Sequence, residues 1–171
     1  GALDPEAILA ADHDDLAGWI RPSGYFNVKA DRLRALCRWY LDSGGYHALA
    51  RWPTEELRTG LLSVKGVGRE TADDILLYAF HRPVFVIDAY TRRIFARLGL
   101  VTGEEGYEAL RETFETALAD QPEPVALFNE YHALIVAHGK DICRPRPRCS
   151  ECVLVQRCSH AEPVPEMAEN A

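Results

Sequence analysis

Four of the five cysteines in this 171-residue chain fall in one short stretch: Cys143, Cys149, Cys152 and Cys158, spaced C-x5-C-x2-C-x5-C. Thiols crowded this way cannot pack as an ordinary core in a segment with so little apolar bulk. They can converge on one metal centre, and that centre then folds a tail that has almost no core of its own. Sulfur-only ligation suits zinc or an iron–sulfur cluster. Zinc modules usually show two close C-x2-C pairs. Here only Cys149 and Cys152 form one, with Cys143 and Cys158 standing outside it. Clustered thiols also point to a reducing compartment rather than to disulfides. No run approaches the ~18 apolar residues of a membrane span, and no signal peptide opens the chain. A cytosolic protein is the expectation.

The rest of the chain is patterned almost throughout at helical spacing, and the class it predicts is all-α. Asp4 with Pro5 marks the start of a first helix reaching about Ala11. A second covers about Asp14 to Arg21 and stops at Pro22-Ser23-Gly24. From about Asn27 to Ser43, the residues Leu33, Leu36, Cys37, Tyr40 and Leu41 draw one buried stripe, which places Cys37 in the core and not at a metal. Thr54 caps a short helix to Gly60. Residues 61–80 read as two helical halves around a tight turn. Val84 to Ile87 is a lone apolar run with the composition of a strand and nothing evident to pair with. Further helices follow at about Ala89–Leu98 (Gly99 as the stop), around Tyr107–Leu118, and at Val125–His138. In the last, Leu127, Phe128, Tyr131, Leu134, Ile135 and His138 should face inward, with Gly139 just past the end. The tail after His160 reads as disordered.

The turn carries a more specific signal. It reads Val64-Lys65-Gly66-Val67-Gly68-Arg69-Glu70-Thr71-Ala72. Gly66 and Gly68 permit a sharp reversal and a close backbone approach. The helix that follows begins with unsatisfied N–H groups, which favour an anion, and a DNA phosphate is the natural guest. Val67 should point inward, and Ala72 should allow close helix contact. A plain αα-hairpin would show two glycines as well. The net charge of −7 opposes nucleic acid binding in sum, yet its distribution does not. Residues 140–160 carry Lys140, Arg144, Arg146, Arg148 and Arg157 against Asp141 and Glu151, whereas residues 104–123 are strongly acidic. Plain solvated surface charge would read the same way.

Gly66 to Ala72, then Phe85-Val86-Ile87-Asp88 followed by Ala89-Tyr90-Thr91-Arg92-Arg93, then the cysteine tail, occur in this order. In this the chain resembles the helix-hairpin-helix DNA glycosylases, specifically the endonuclease III family, over about residues 3 to 158. Gly24 to Ala30 resembles that family's helix junction. The resemblance implies two lobes: residues 22–124 around the hairpin (about 61–80), and residues 125–160 with the last helix and the cysteine loop, after N-terminal helices at 1–21. It also implies further helices ahead of residue 1. DNA is expected in the groove between lobes, met by Lys65, Gly66, Val67, Gly68 and Arg69 on one side and by Arg144, Arg146 and Arg148 on the other. A monomer is expected, associated with the nucleoid if the source is prokaryotic.

Asp88 ends an apolar run and opens a helix, so it serves as an N-cap whatever else it does. A carboxylate fixed there and kept partly dry can stabilise the positive charge that builds on a sugar as an N-glycosidic bond breaks, and can activate a nucleophile. The family uses the matching aspartate in this way. Its bifunctional members carry a lysine that forms a Schiff base; here that position holds Glu70, which cannot form an imine. The expectation is hydrolysis by water of the bond to a damaged or mismatched base, leaving an abasic site. The resemblance also implies a [4Fe-4S] cluster on Cys143, Cys149, Cys152 and Cys158, although the first interval is one residue shorter than the family's C-x6-C. Tyr25, Phe26, Trp39 and Tyr90 are candidate pocket aromatics by type alone, core packing being the commoner fate of such residues.

Overall fold

A computed structural model describes residues 4–161. The expectations for the first three residues and for the tail from residue 162 lie outside the described residues. The chain divides after Arg82 into two compact units. No strand occurs among the described residues.

The first unit holds α1 (Pro5–Ala10), α2 (His13–Trp19), α3 (Phe26–Asp42), α4 (Gly45–Leu49), α5 (Thr54–Ser63) and α6 (Arg69–Asp74), the last running on as a π-helical turn at Ile75–Ala79. The Asp4 carboxylate accepts from the N–H groups of Glu6 and Ala7, and Asp12 accepts from that of Asp14. These are the side-chain caps that satisfy donors a helix start leaves open. α1 and α2 pack on α3 through Ile8, Leu16, Ala17, Ala30 and Cys37. Cys37 is buried as expected, and burial raises its thiol pKa. Its stripe neighbours Leu33, Leu36, Tyr40 and Leu41 are only half-buried.

Two boundaries differ from the sequence reading. α5 runs to Ser63, and Thr54 lies inside it, because Pro53 in extended conformation starts the helix. Leu57 and Leu61 on α5 are fully buried, as are Ala72, Leu76 and Leu77 across the turn. Val64, not Val67, is the residue that pins the turn: it is buried, and Val67 is half-buried. A buried ion pair ties the two arms. Arg58 on α5 donates from Nε to Asp73 Oδ1 at 2.6 Å and from Nη2 to Oδ2 at 3.1 Å.

The second unit holds α7 (Ala89–Arg97), α8 (Tyr107–Ala117) and α9 (Pro124–Asp141), followed by two 3₁₀ turns at Cys149–Glu151 and Val155–Arg157. The run Val84–Ile87 is extended and almost wholly buried, but it pairs with side chains instead of a strand. The Phe85 N–H donates to Glu115 Oε1 at 2.9 Å, and the Ile87 N–H to the Tyr107 hydroxyl at 3.4 Å. Both partners come from α8, so a buried backbone finds its acceptors without a sheet. Phe85 is the hub of an aromatic core, with ring centroids 4.6 Å from Phe114, 5.3 Å from Phe128 and 5.8 Å from Tyr131.

α9 is longer than expected, and its predicted face holds at Phe128 and Ile135, with Leu127, Tyr131 and His138 half-buried. Phe128, His132, Ile135 and Gly139 are its buried residues, and Leu134 is 57% exposed. Gly139 lies within the helix and not beyond it. A Cβ there would fall 2.5 Å from Tyr90 Cδ1, so the absent side chain lets α7 approach α9.

Candidate nucleic-acid and catalytic site

Asp88 is the N-cap of α7 and 7% exposed. Its Oδ1 accepts from the Thr91 N–H at 2.6 Å and from the Thr91 hydroxyl at 2.8 Å. Its Oδ2 lies 3.7 Å from His132 Nε2 on α9. Burial alone would raise the carboxyl pKa. The nearby His132 and the two bonds from Thr91 outweigh it, so the pKa sits below the usual carboxylate range. The group is therefore a fixed carboxylate at neutral pH, with one oxygen locked and the other beside an imidazole. His132 was missed by the sequence reading. The signal was its place on the buried stripe of α9, four residues after Phe128 and three before Ile135.

In the first unit the turn is built as its glycines imply. Gly66 has φ +92°, a region that L side chains rarely adopt. Gly68 is extended and caps α6 without a side chain. Lys65, Gly66, Gly68 and Arg69 are exposed, as is Glu70 in the first turn of α6. Arg32 of α3 lies across this turn: a Cβ on Gly66 would run into Arg32 Cγ.

The four clustered cysteines line one small cavity of about 20 Å³ together with Arg97, Ile142 and Pro147. Cys143 is buried and the other three are partly so. Among the described residues no group of three or more His, Cys, Asp or Glu side chains stands ready to hold a metal ion. α7 anchors this loop. Arg97 donates from Nη1 to Cys143 Sγ at 3.3 Å and to the Arg144 carbonyl at 2.6 Å, and from Nη2 to the Pro145 carbonyl at 3.0 Å. Arg93 donates to the carbonyls of Cys143 and Gly139, and stacks over Tyr90 at 5.1 Å. His138 Nε2 lies 3.6 Å from Cys152 Sγ. Arg144, Arg146 and Arg148 are exposed, with Arg148 3.8 Å from Glu151.

The candidate aromatics separate. Trp39 packs edge-on to Trp52 at 6.3 Å, Phe26 packs on the α1–α3 core, and Tyr90 fills the space over Gly139. Tyr25 alone of the four is solvent-exposed, at 87%, with φ +47°. The acidic run at 104–123 is partly structural: Glu105 closes a turn by accepting from the Thr102 and Gly103 N–H groups, and Glu115 holds Phe85.

Residues 1–120 match the family described as HhH-GPD superfamily base excision DNA repair protein. The chain belongs to that superfamily. A relative in Methanocaldococcus jannaschii whose name reads "Putative DNA repair glycosylase" is 42% identical over 159 residues, covering 91% of this chain and 71% of the relative. The endonuclease III of Sulfolobus acidocaldarius is 30% identical over 161 residues, covering 94% and 69%. Among solved structures, the H. pylori 3-methyladenine DNA glycosylase bound to 1,N6-ethenoadenine superposes with a TM-score of 0.70 at 30% identity, covering 80% of this chain and 66% of that one. The HhH-GPD match ends before the cysteine loop. No described helix is long and apolar enough to cross a membrane.

Proposed function

We propose that this chain is a DNA glycosylase that hydrolyses the N-glycosidic bond of a damaged or mismatched base in duplex DNA, without strand cleavage. The observation that carries the reading is Asp88, a buried carboxylate locked through Oδ1 and charged at neutral pH. As the glycosidic bond breaks, the sugar takes on positive charge. A preorganised anion in a drier site stabilises that charge more than water would. Membership of the superfamily and the likeness to two DNA-repair proteins support the same class of reaction.

Glu70 stands where bifunctional relatives of the endonuclease III type carry their lysine, and a carboxylate has no amine with which to attack the sugar. Water is left as the nucleophile. The exposed hairpin turn, with Lys65, Gly66, Val67, Gly68 and Arg69, would take DNA phosphates through main-chain N–H groups and charge. Arg144, Arg146 and Arg148 on the cysteine loop would add contacts, each phosphate neutralised steepening the salt dependence by about −0.9 in the log–log slope. Tyr25 offers an exposed ring at the head of α3 for stacking on a base. A likeness to a glycosylase acting on 3-methyladenine favours an alkylated purine as substrate.

Cys143, Cys149, Cys152 and Cys158 would hold a [4Fe-4S] cluster. Their donor set is all sulfur and they wall a common cavity. Only Cys149 and Cys152 form a C-x2-C pair, where zinc modules usually show two. The cluster would serve as a structural tie for the arginine-bearing loop, and no step of the base excision runs through it.

The test is incubation with duplexes carrying a panel of single lesions and mismatches, resolved with and without alkali. Strand breaks appearing only after alkali support monofunctional hydrolysis. Breaks without alkali, with a borohydride-trapped adduct lost on replacing Lys65 or Lys29, would establish a lyase using another amine. Binding without any excision would leave a DNA-binding homologue.

A further inference from the structure

The strongest unassigned feature near the proposed chemistry is His132. It projects from the middle of α9, is 7% exposed, and faces Asp88 across the packing of α7 on α9. A buried imidazole is costly unless something uses its nitrogens. Nε2 lies 3.7 Å from Oδ2, a little beyond a direct hydrogen bond and close enough for the imidazole to orient that oxygen. The carboxylate has two oxygens with different duties. Thr91 takes Oδ1 with two short bonds. That leaves Oδ2 as the oxygen available to a reacting group, and His132 is the side chain beside it.

We infer that His132 is a positioning residue for the reaction proposed above: its imidazole orients the Oδ2 oxygen of Asp88. This rests on the reading of Asp88 as the catalytic carboxylate. The surrounding charged groups are committed elsewhere. On α7, Arg92 donates to the Glu105 carbonyl and Arg93 to carbonyls of the last turn of α9 and of Cys143. On α8, Glu115 accepts from the Phe85 N–H and lies 3.9 Å from Arg111. On α9, Tyr131 packs into the aromatic core, where burial raises its pKa. His132 reaches the carboxylate from α9, outside the helix that Asp88 caps. The direction of the Asp88 pKa, to which His132 contributes, agrees with this.

The inference has a readout that a purely structural role would not move. Removing the imidazole takes away a group that favours the carboxylate, so Asp88 should hold its proton to higher pH. The experiment measures single-turnover excision from duplexes carrying one ethenoadenine or one G·T mismatch, across acidic to neutral pH. It compares wild type, His132→Leu and His132→Gln, the last keeping a side-chain donor. The Asp88 carboxyl resonance is titrated in parallel by ¹³C NMR on Asp-labelled protein. The expected result is an acidic limb displaced to higher pH in His132→Leu, a rate at neutral pH lower by about tenfold or more, and partial recovery in His132→Gln. The Asp88 resonance should move in the same order. Acidic limbs and resonances that coincide in all three proteins would overturn the inference. If the wild type excises neither base, the catalytic proposal is what has failed for these substrates, and the resonance titration still decides whether His132 governs Asp88. Should His132→Leu fail to fold, His132→Gln against wild type carries the same comparison.

Discussion

Breaking the Arg58–Asp73 pair should damage the first unit more than any other single charge removal there. Asp73 is fully buried, the Arg58 side chain is 9% exposed, and the two side chains share two hydrogen bonds of 2.6 and 3.1 Å. Replacing Asp73 by Ala leaves a guanidinium in a water-poor site without its counter-charge. Removing one partner of a buried pair typically costs about 3–5 kcal/mol, far more than the pair's net worth against an apolar replacement. A domain is stable by about 5–15 kcal/mol, so the loss is a large share of the total. At about 2–4 °C per kcal/mol for a chain this long, the midpoint should fall by about 6–20 °C. The double change Arg58→Met with Asp73→Leu removes both charges and fills the space, and should recover most of the loss.

The readout is built into the sequence. All three tryptophans, Trp19, Trp39 and Trp52, lie before residue 82, so their fluorescence during urea unfolding follows the first unit. A double-mutant cycle of Arg58→Met, Asp73→Leu and their combination isolates the pairwise coupling. A loss below about 1 kcal/mol for Asp73→Ala, or a double variant no better than the single one, would refute the argument. The same pair holds α5 to α6 on either side of the glycine turn. Asp73→Ala should therefore also weaken binding to undamaged duplex at a temperature where the protein remains folded.

Asp88→Asn should abolish base excision while leaving duplex affinity within a few-fold, measured by single-turnover excision and by fluorescence anisotropy. Because the folded Asp88 pKa is lowered, the folded chain binds fewer protons than the unfolded one. The stabilisation is complete above the unfolded value and is lost as pH falls through the folded value. Acid unfolding of Asp88→Asn should accordingly show a shallower pH dependence than wild type. Gly66→Ala places a Cβ at φ +92° and against Arg32, costing about 1–2 kcal/mol, and should reduce duplex affinity, as checked by urea unfolding and anisotropy. Arg97→Ala removes the donor to Cys143 Sγ and to two loop carbonyls. If these cysteines hold the proposed cluster, less iron per chain and faster bleaching of visible absorbance should follow in air, measured by iron analysis and spectroscopy.

The helices were legible because caps and stripes are local signals. Asp4 and Asp88 each accept from N–H groups two or three residues ahead, an arrangement that depends on a few consecutive residues. The turn was legible for the same reason, through two glycines flanking one valine. Partners far apart in sequence were not. Nothing near Phe85 shows that its N–H will find Glu115, thirty residues on. Nothing near Arg97 shows that it will bind the carbonyls of residues 144 and 145. The face of α9 was misjudged at Leu134 because an apolar residue can stand in water at little cost, whereas His132 cannot be buried without purpose. An apolar count favours the leucine, yet the face of α9 turned toward α7 carries Gly139 against Tyr90 and His132 against Asp88.

That turn of α9 bears on how Asp88 would work. A carboxylate with a lowered pKa is a weak base, so it gains little from taking a proton from water in the transition state. It gains more as a fixed negative charge beside a sugar becoming positive, since its donors are already in place and need no reorganisation. Thr91 and His132 both act in this direction: each stabilises the charged form against the cost of burial. On the proposed reading, excision should then depend more on departure of the base than on capture by water. Lesions with better leaving groups, such as alkylated purines, should be removed faster than a mismatched thymine from the same sequence context. Equal single-turnover rates for the two would count against electrostatic stabilisation as the main role of Asp88.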